Sequence, residues 1–244
     1  MKRNFLYTFY STMLIVGLLG CSSNESSVLS IRPVWGSHAA PISLCQSNNP
    51  AALSVEQLQF YLSDFYLNGQ RLTLVDNGIE QNTDVVLVGG DCSQNHWRIE
   101  FEGRLPEGTL SFTLGLPFDD NHRNPLTQVS PLNVPEMFWT WQQGHKFLRL
   151  DLKQQNESWE FHLGSIGCQS ASVMRAPSQP CALANRYQYS IELKGENAVL
   201  FDLKALLNGL DLADLPDCMG DPEQQGCKTV MSRLKLPLFR GEHE

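Results

Sequence analysis

Short segments with an apolar–polar alternation, or a brief apolar run, recur through most of the chain and are typical of β-strands. They lie at residues 30–35, 58–67, 70–75, 84–88, 97–103, 109–116, 146–152, 159–163, 187–193 and 199–203. Turn signals separate them, the clearest being Asn68-Gly69, which predicts a tight hairpin. Many short strands with frequent turns predict an all-β fold, an antiparallel β-sandwich.

Helical periodicity is weak along the same chain. Residues 202–210 predict one short helix that ends at Gly209, and residues 54–59 predict a single turn capped by Ser54. No internal repeat and no strong linker interrupts residues 31–244. We therefore interpret residues 31–244 as a single domain.

The N-terminus predicts export and lipidation. Basic Lys2 and Arg3 precede an apolar stretch, and residues 18–21 read Leu-Leu-Gly-Cys, the form of a bacterial lipobox. Residues 1–20 are thus expected to be a signal peptide and Cys21 the lipidated residue, with an ordinary secretory peptide as the alternative. The serine-rich residues 21–30 predict a flexible tether. The expected location is lipid-anchored, at the periplasmic face of the outer membrane or at the cell surface.

The cysteines predict disulfide staples. With Cys21 acylated, an even number remains, which is typical of an oxidising compartment: Cys45, Cys92, Cys168, Cys181, Cys218 and Cys227. Loop length favours Cys168–Cys181 and Cys218–Cys227 as closures of short polar loops, with Cys45–Cys92 as a long-range tie. A cysteine metal cluster is the alternative, but the chain has no C-x-x-C pair.

The charge balance narrows the class of partner. The formal net charge is −8, and removing Lys2 and Arg3 from the 18 basic residues leaves 16 against 26 acidic ones, a net charge of −10. No basic cluster remains, so a nucleic-acid partner is not expected. The acidity serves solubility or suits a cation ligand.

The densest group of chemically distinctive residues lies between residues 121 and 168. Met137, Trp139 and Trp141 are followed by His145 and His162. Such residues are typical of a buried core. They would also supply a thioether–imidazole set with His162, His145 or His38, and those donors favour copper.

The order of these residues resembles a known family. Residues 131–147 contain M-x-W-x-W-x-x-G-H-K-F after Pro-Leu-Asn, residues 162–168 read H-L-G-S-I-G-C, and residues 181–186 read C-A-L-A-N-R. With Phe-Tyr-Leu-Ser at residues 60–63, this pattern is similar to the MbnP-like family, the four-Cys partner of the metallo-mystery pair, over nearly all of the mature chain. One departure is His145, where the family has tyrosine. It would add an imidazole to the site or, as we favour, replace one partly exposed ring by another.

The resemblance implies a copper-binding periplasmic or surface protein for storage, scavenging or delivery. Its implied partner is an MbnH-like di-haem peroxidase that oxidises a tryptophan to kynurenine, whose aromatic amine can bind metal. The metal ligands expected from the matching motifs are His162, Met137 and an oxidised Trp139 or Trp141, with His38 as a weaker candidate. These neutral, soft-to-borderline donors favour Cu(I). The protein would be the substrate of an enzyme rather than an enzyme.

Two other functions are compatible with the sequence. In a metal-free structural or adhesion lipoprotein, Met137, Trp139 and Trp141 would be core residues. In a calcium-dependent binding module, residues 118–121 with Asn124 would supply oxygen donors, although these residues are more typical of a solvated turn. No hydrolase or phosphate-loop motif occurs.

Overall fold

The computed structural model describes residues 25–36, 42–46, 53–213 and 215–242. The strands within them are β1 (Ser26–Val34), β2 (Ser54–Leu67), β3 (Gln70–Arg71), β4 (Val85–Asp91), β5 (Asn95–His96), β6 (Arg98–Glu102), β7 (Gly108–Leu114), β8 (Phe138–Thr140), β9 (Gly144–Gln154), β10 (Glu157–Gly164), β11 (Tyr187–Leu193), β12 (Ala198–Asp202) and β13 (Phe239–Gly241). The α-helices are α1 (Phe118–His122), α2 (Leu203–Leu207) and α3 (Lys228–Arg233), and Pro125–Thr127 and Pro135–Met137 form 3-10 turns.

Two sheets form a sandwich, as the alternation predicted. The smaller sheet has the order β13-β12-β1-β6, and the larger has β10-β9-β2-β4-β5 with β7, β11, β3 and β8 attached. The long strand β2 organises the larger sheet, because it pairs with β9 and β7 along one edge and with β4 and β3 along the other. Between the named strands, pairing is antiparallel apart from β1 with β12, which are parallel. The all-β, single-domain prediction is confirmed.

Aromatic side chains from both sheets fill the space between them. Phe60 of β2 packs on Phe201 of β12 with ring centroids 5.2 Å apart, and Phe65 packs edge-on against Phe101 of β6 at 5.3 Å. Each of these rings is almost fully buried. Because alternate residues of a strand point to opposite faces, Tyr61 and Gln59 of β2 point to the outer face of the larger sheet.

All three disulfide pairings favoured by loop length are present. They are Cys45–Cys92, Cys168–Cys181 and Cys218–Cys227. The last one is more deeply placed than a surface staple, since Cys218 is fully buried and its backbone bonds β10 through the Glu160 carbonyl and the His162 N–H, both at 2.8 Å. Cys218 therefore extends the edge of the larger sheet by one bridged residue beside Phe161 of β10.

Several local predictions need correction. The tether prediction is wrong for residues 26–30, which are the first half of β1, because Leu29 is buried and the backbone pairs with β6. The helical turn at residues 54–59 is instead the start of β2. The strand at residues 70–75 is reduced to Gln70–Arg71 after the confirmed Asn68-Gly69 turn. The predicted helix is shorter, Leu203–Leu207, with Asp202 accepting a bond from the Ala205 N–H.

Part of the outer face of the larger sheet is covered by residues 116–143, which we call the covering layer. The Tyr61 hydroxyl donates to the Pro131 carbonyl at 2.8 Å, and Leu132 and Met137 are buried. Gly144, with φ +80°, allows the layer to approach β9, because a Cβ there would lie 2.3 Å from Asn121 Oδ1. The rest of this face, towards the Gln154 end of β9, carries polar side chains. Among the described residues, no helix has the length and apolar character needed to cross a membrane.

Candidate metal site

The uncovered part of the outer face is built by the β9–β10 hairpin. Leu150 and Leu152 of β9 and Phe161 of β10 point into the core, so the residues between them point outward. The register places Asp151 opposite Glu160 and Arg149 opposite His162. Four side chains with charge or metal-binding capacity are thereby gathered on one face.

His162 is the centre of this group. Its Nε2 lies 3.2 Å from Asp151 Oδ1 and 3.6 Å from Glu160 Oε2. One ligand atom from each of the three residues lies within 4.8 Å of the others. His162 is 5% exposed, while Glu160 is partly exposed, so the group opens towards solvent on the carboxylate side. We call Asp151, Glu160 and His162 the His162 cluster.

Basic residues hold the carboxylates of the cluster in place. The Arg149 guanidinium donates from Nε and Nη2 to Asp151 Oδ2 at 3.0 and 2.6 Å. Asp151 Oδ1 is shared, because it lies 3.3 Å from Arg149 Nε and 3.2 Å from His162 Nε2. Partial burial favours a higher pKa for Asp151, but the hydrogen bonds from His162 and Arg149 outweigh it, so the pKa is lowered and Asp151 is ionised. Burial, with the nearby Arg149 charge, lowers the pKa of Lys146.

Trp139 lies beside the His162 cluster. A Cβ built on Gly164 would be 2.4 Å from Trp139 Cζ3, so the indole ring rests directly on the Gly164 backbone. Gly164 and His162 are two positions apart in β10 and so face the same side, separated by about 7 Å along the strand. The structure therefore brings together two of the predicted ligands, and Trp139 has no hydrogen bond from its N–H within the described part of the chain.

Trp141 is held in a different environment. Its Nε1–H donates to the His122 carbonyl at 2.8 Å, on the side of the covering layer where Cys181 also lies. The two candidate tryptophans are thus distinguished by their contacts. Trp139 packs over the strand that carries His162, whereas Trp141 ties a turn to α1.

Met137 lies inside the covering layer, and His145 of β9 lies beneath it. Met137 is 0% exposed and belongs to the hydrophobic core, the alternative environment that its sequence context had left open. His145 is also fully buried, and its ring nitrogens lie 3.1 Å from the Asn121 carbonyl and 2.9 Å from the Leu132 carbonyl. Burial lowers the pKa of His145, against the opposing effect of these two carbonyls. The prediction that residue 145 is a partly exposed ring is wrong, because the ring fills a closed polar pocket.

Other predicted residues fall elsewhere. His38 and Cys21 lie outside the described residues, so their roles stay predictions. The oxygen donors proposed for calcium have other partners: Asp120 pairs with Arg123 at 3.1 Å, Asn121 Oδ1 accepts the His145 N–H at 2.7 Å, and Asn124 Oδ1 accepts the Leu126 N–H at 3.0 Å. These contacts favour the structured-turn interpretation of this segment.

Sequence reasoning missed Asp151, Glu160 and Arg149 as parts of the site. A signal was present, since the alternation in residues 146–152 and 159–163 already places these residues on the polar side of two neighbouring strands. Had the two segments been aligned as a hairpin, His162 would have been expected opposite Arg149 and near Asp151.

A polar groove extends the same face away from the hairpin. The register aligns Gln57 with Asp151 and Gln59 with Arg149, and both glutamines line a cavity of about 350 Å³. Its far side is formed by Gly89 and Asp91 of β4. The cavity therefore adjoins the strand next to the His162 cluster, but none of the three cluster residues lines it.

Comparison with known proteins agrees with this architecture. The solved structure of MbnP from Methylosinus trichosporium matches with a TM-score of 0.72 and 17% sequence identity, over 88% of this chain and 97% of that chain. At that identity, the match shows a shared fold. No curated protein sequence matches the chain. The MbnP family model, however, matches residues 24–220, which is well over half of the chain. This chain therefore belongs to the MbnP family.

Proposed function

We propose that this protein binds copper at the His162 cluster, and that it stores, scavenges or delivers the metal outside the cytoplasm. The observation that carries the proposal is the convergence of one imidazole and two carboxylates within 4.8 Å on an open face. Membership of the MbnP family and the presence of Trp139 beside the cluster support it.

The donor set fits copper, with a change from the sequence-based expectation. Met137 is buried in the core, and the groups that surround His162 are carboxylates. Imidazole with carboxylate oxygen favours divalent over monovalent copper. His162 would bind the metal through a ring nitrogen, and Asp151 or Glu160 would supply oxygen and balance its charge.

We further propose that Trp139 is the residue converted to kynurenine. Its indole lies over Gly164 next to His162, so the aromatic amine released by ring opening would form beside the cluster. Trp141, whose N–H is bonded to the His122 carbonyl, serves to hold the turn. The oxidant would be hydrogen peroxide, used by a di-haem peroxidase partner, with one indole carbon leaving as formate. In this scheme the protein is the substrate of that enzyme and is itself not an enzyme.

The proposed function also implies where in the cell the protein is located. A lipid on Cys21, just ahead of β1, would place the domain at the membrane surface, where the partner peroxidase and external copper are both accessible. Growth of the native host with a radioactive fatty acid, followed by purification of the protein, tests this point. A Cys21→Ser variant is expected to lose the label and to be released from the membrane fraction.

The first experiment is mass spectrometry with metal analysis on protein purified from its native host. Fragmentation of the peptide that contains both tryptophans should place a gain of one oxygen and a loss of one carbon on Trp139. Modification of Trp141 instead would refute the assignment. If neither residue is modified and no copper is present in cells that express an active partner, the metal-free structural role is the better explanation.

The ligand assignment is tested by His162→Ala, with His96→Ala as the matched control. His96 is a half-buried histidine near the far edge of the same sheet, 3.9 Å from Glu80. His162→Ala should remove most copper binding measured by equilibrium dialysis, and His96→Ala should retain it. Equal stoichiometry in the two variants would disprove the role of His162.

A further inference from the structure

A second group of metal-binding side chains lies at the covering layer, separate from the His162 cluster. His122 Nε2 is 3.4 Å from Cys181 Sγ, and one ligand atom from each of His122, Cys168 and Cys181 lies within 4.8 Å of the others. The two cysteines form a disulfide in this structure. His122 is 4% exposed and has no function in the copper site proposed above.

The neighbours of His122 determine which of its two ring nitrogens carries the proton. Asn121 Oδ1 accepts the backbone N–H of His145 at 2.7 Å, so its other end, the Nδ2 amide, faces His122 Nε2 at 3.1 Å. An amide N–H donates there, which requires an unprotonated Nε2. The ring proton is then on Nδ1, which is buried close to the backbone of Trp141. Nε2 itself lies 3.4 Å from Cys181 Sγ, so a metal bound between them would replace Asn121 as the partner of its lone pair.

Hydrogen bonds hold the two cysteines together independently of the disulfide. Ile166 and Leu183 exchange two backbone hydrogen bonds, at 2.9 and 3.0 Å, and Gly167 accepts from the Ala182 N–H at 3.4 Å. Ser165 Oγ also donates to the Ala184 carbonyl at 3.2 Å. This short antiparallel ladder ends at Cys168 and Cys181, so both sulfurs would stay near His122 if the S–S bond were broken.

The Cys168–Cys181 disulfide is accessible to a reductant. Both cysteines are partly exposed, whereas Cys218 and Cys227 are fully buried. The intervening loop is largely exposed to solvent. Thiol–disulfide exchange requires access of the attacking thiolate to a sulfur atom, so a dithiol can reach this bond more readily than the buried one.

We infer that reduction of the Cys168–Cys181 disulfide opens a Cu(I) site formed by His122 and the two cysteines. A dithiol reductant supplies two electrons, the S–S bond breaks, and each sulfur takes up one proton while the dithiol closes to its own disulfide. Copper(I) then binds both thiolates and releases those two protons. Thiolate sulfur with imidazole nitrogen is a soft donor set that favours Cu(I) or zinc over harder cations.

The geometry of the oxidised protein is already close to that of a loaded site. A sulfur at about 2.3 Å and a nitrogen at about 2.0 Å from a metal are about 3.5 Å apart at a tetrahedral angle. The distance from His122 Nε2 to Cys181 Sγ is 3.4 Å. Two changes are needed: the two sulfurs must separate, which side-chain rotation can supply, and Nε2 must exchange its hydrogen bond from Asn121 for the metal. Cys45 and Cys92, by contrast, have Glu56 as their third neighbour, a hard donor that does not suit Cu(I).

The inference is tested by titrating copper(I) bicinchoninate into the whole protein with and without prior reduction. The reductant is a water-soluble phosphine, which acquires oxygen from water as it reduces the disulfide, and it is removed under anaerobic conditions before titration. Reduced protein should take up one more copper per chain than oxidised protein and show a sulfur-to-copper charge-transfer band. Equal uptake by both forms would overturn the proposal.

Matched variants assign the extra copper to a specific pair of cysteines. Cys168→Ser with Cys181→Ser should abolish the reduction-dependent uptake, whereas Cys45→Ser with Cys92→Ser should retain it. His122→Asn should lower the affinity of the extra site by at least about 10-fold, the lower end of what loss of even an outer-shell partner causes. Unchanged affinity in His122→Asn, or uptake that persists without Cys168 and Cys181, would contradict the proposed ligands.

Two checks keep the outcome interpretable. Near-ultraviolet circular dichroism of each reduced variant identifies loss of fold, and any variant that unfolds is replaced by the single substitution Cys181→Ser, which must also lose the band. His162→Ala should leave the reduction-dependent copper in place. The proposal for this site and the proposal for the His162 cluster can therefore be disproved independently of one another.

Discussion

The two halves of the outer face of the larger sheet use histidine in opposite ways. In the covered half, His145 is enclosed with Tyr61, and both of its ring nitrogens contact backbone carbonyls. In the open half, His162 contacts two carboxylates and borders solvent. The same side chain is therefore a structural element under the covering layer and a candidate ligand beyond its edge. The two histidines differ in their partners: backbone carbonyls contact the ring of His145, whereas carboxylates contact the ring of His162.

The largest effect is expected from truncation in the covered half. Met137→Ala removes a fully buried side chain, so we expect a loss of about 2–5 kcal/mol in the free energy of unfolding measured by urea denaturation. Met137→Leu keeps the volume and should cost less than about 1.5 kcal/mol. Copper stoichiometry should be unchanged in Met137→Leu. A folded Met137→Leu protein without copper would restore Met137 as a ligand.

An intermediate effect is expected at the boundary between the two halves. Gly164→Ala would place a Cβ 2.4 Å from Trp139 Cζ3 and 2.8 Å from the His145 carbonyl oxygen. We expect a loss of about 1–3 kcal/mol in stability from overpacking, with a shift in tryptophan fluorescence as the indole moves. Gly103→Ala is a control in which the added methyl group meets open space; its cost comes from the positive φ of +77°, a backbone strain that Gly164 does not have. If both variants shift the fluorescence equally, Trp139 does not rest on Gly164.

The smallest effect on stability is expected in the open half. Asp151→Asn weakens the contacts to Arg149 and His162 near the surface, and partly exposed ion pairs contribute only up to about 1 kcal/mol. Copper affinity should nevertheless fall by about 10- to 100-fold, because the carboxylate binds or orients the metal site. Asp84→Asn, which breaks an exposed pair with Arg71, is the matched control and should bind copper normally. Parallel losses in the two variants would indicate a nonspecific charge effect.

A second substitution in the open half can distinguish which carboxylate is the principal oxygen ligand of the metal. Substitution of Asp151 alone leaves Glu160 as the remaining carboxylate, 3.6 Å from His162. Glu160→Gln should therefore show a smaller loss of copper affinity than Asp151→Asn, because Glu160 is the more exposed and less firmly held of the two. A larger loss in Glu160→Gln would make Glu160 the principal oxygen ligand.

Local sequence patterns were sufficient for many strands, and loop length favoured the disulfide pairs that the structure contains. Residues 187–193 alternate cleanly, and β11 has those same bounds, because one face of the strand packs in the core and the other meets solvent. The patterns were insufficient where tertiary contacts overrode composition. Ser26 and Ser27 read as a tether, but pairing with β6 makes them a strand. β13 gives a weak local signal and is formed by its pairing with β12.

The site was predicted only in part for a related reason. His162 and Trp139 were singled out from motifs, and the structure places Trp139 against the strand that carries His162. Asp151 and Glu160 were missed, because the sequence of an alternating strand does not show whether an outward-facing carboxylate is a metal ligand or is only exposed to solvent. Their importance depends on the register of β9 against β10, which is a property of strand pairing.

The sequence by itself determined the class of fold and the family, because these depend on periodicity and on ordered motifs along the chain. Loop length favoured the three cysteine pairs, and the structure selected them among the fifteen possible pairings. Only the tertiary structure decided what each histidine and tryptophan does. Burial under the covering layer occupies both nitrogens of His145, the turn at α1 holds Trp141, and cross-strand register surrounds His162 with carboxylates. Those outcomes depend on contacts between residues distant in the chain, and no local pattern encodes which partner a side chain will meet.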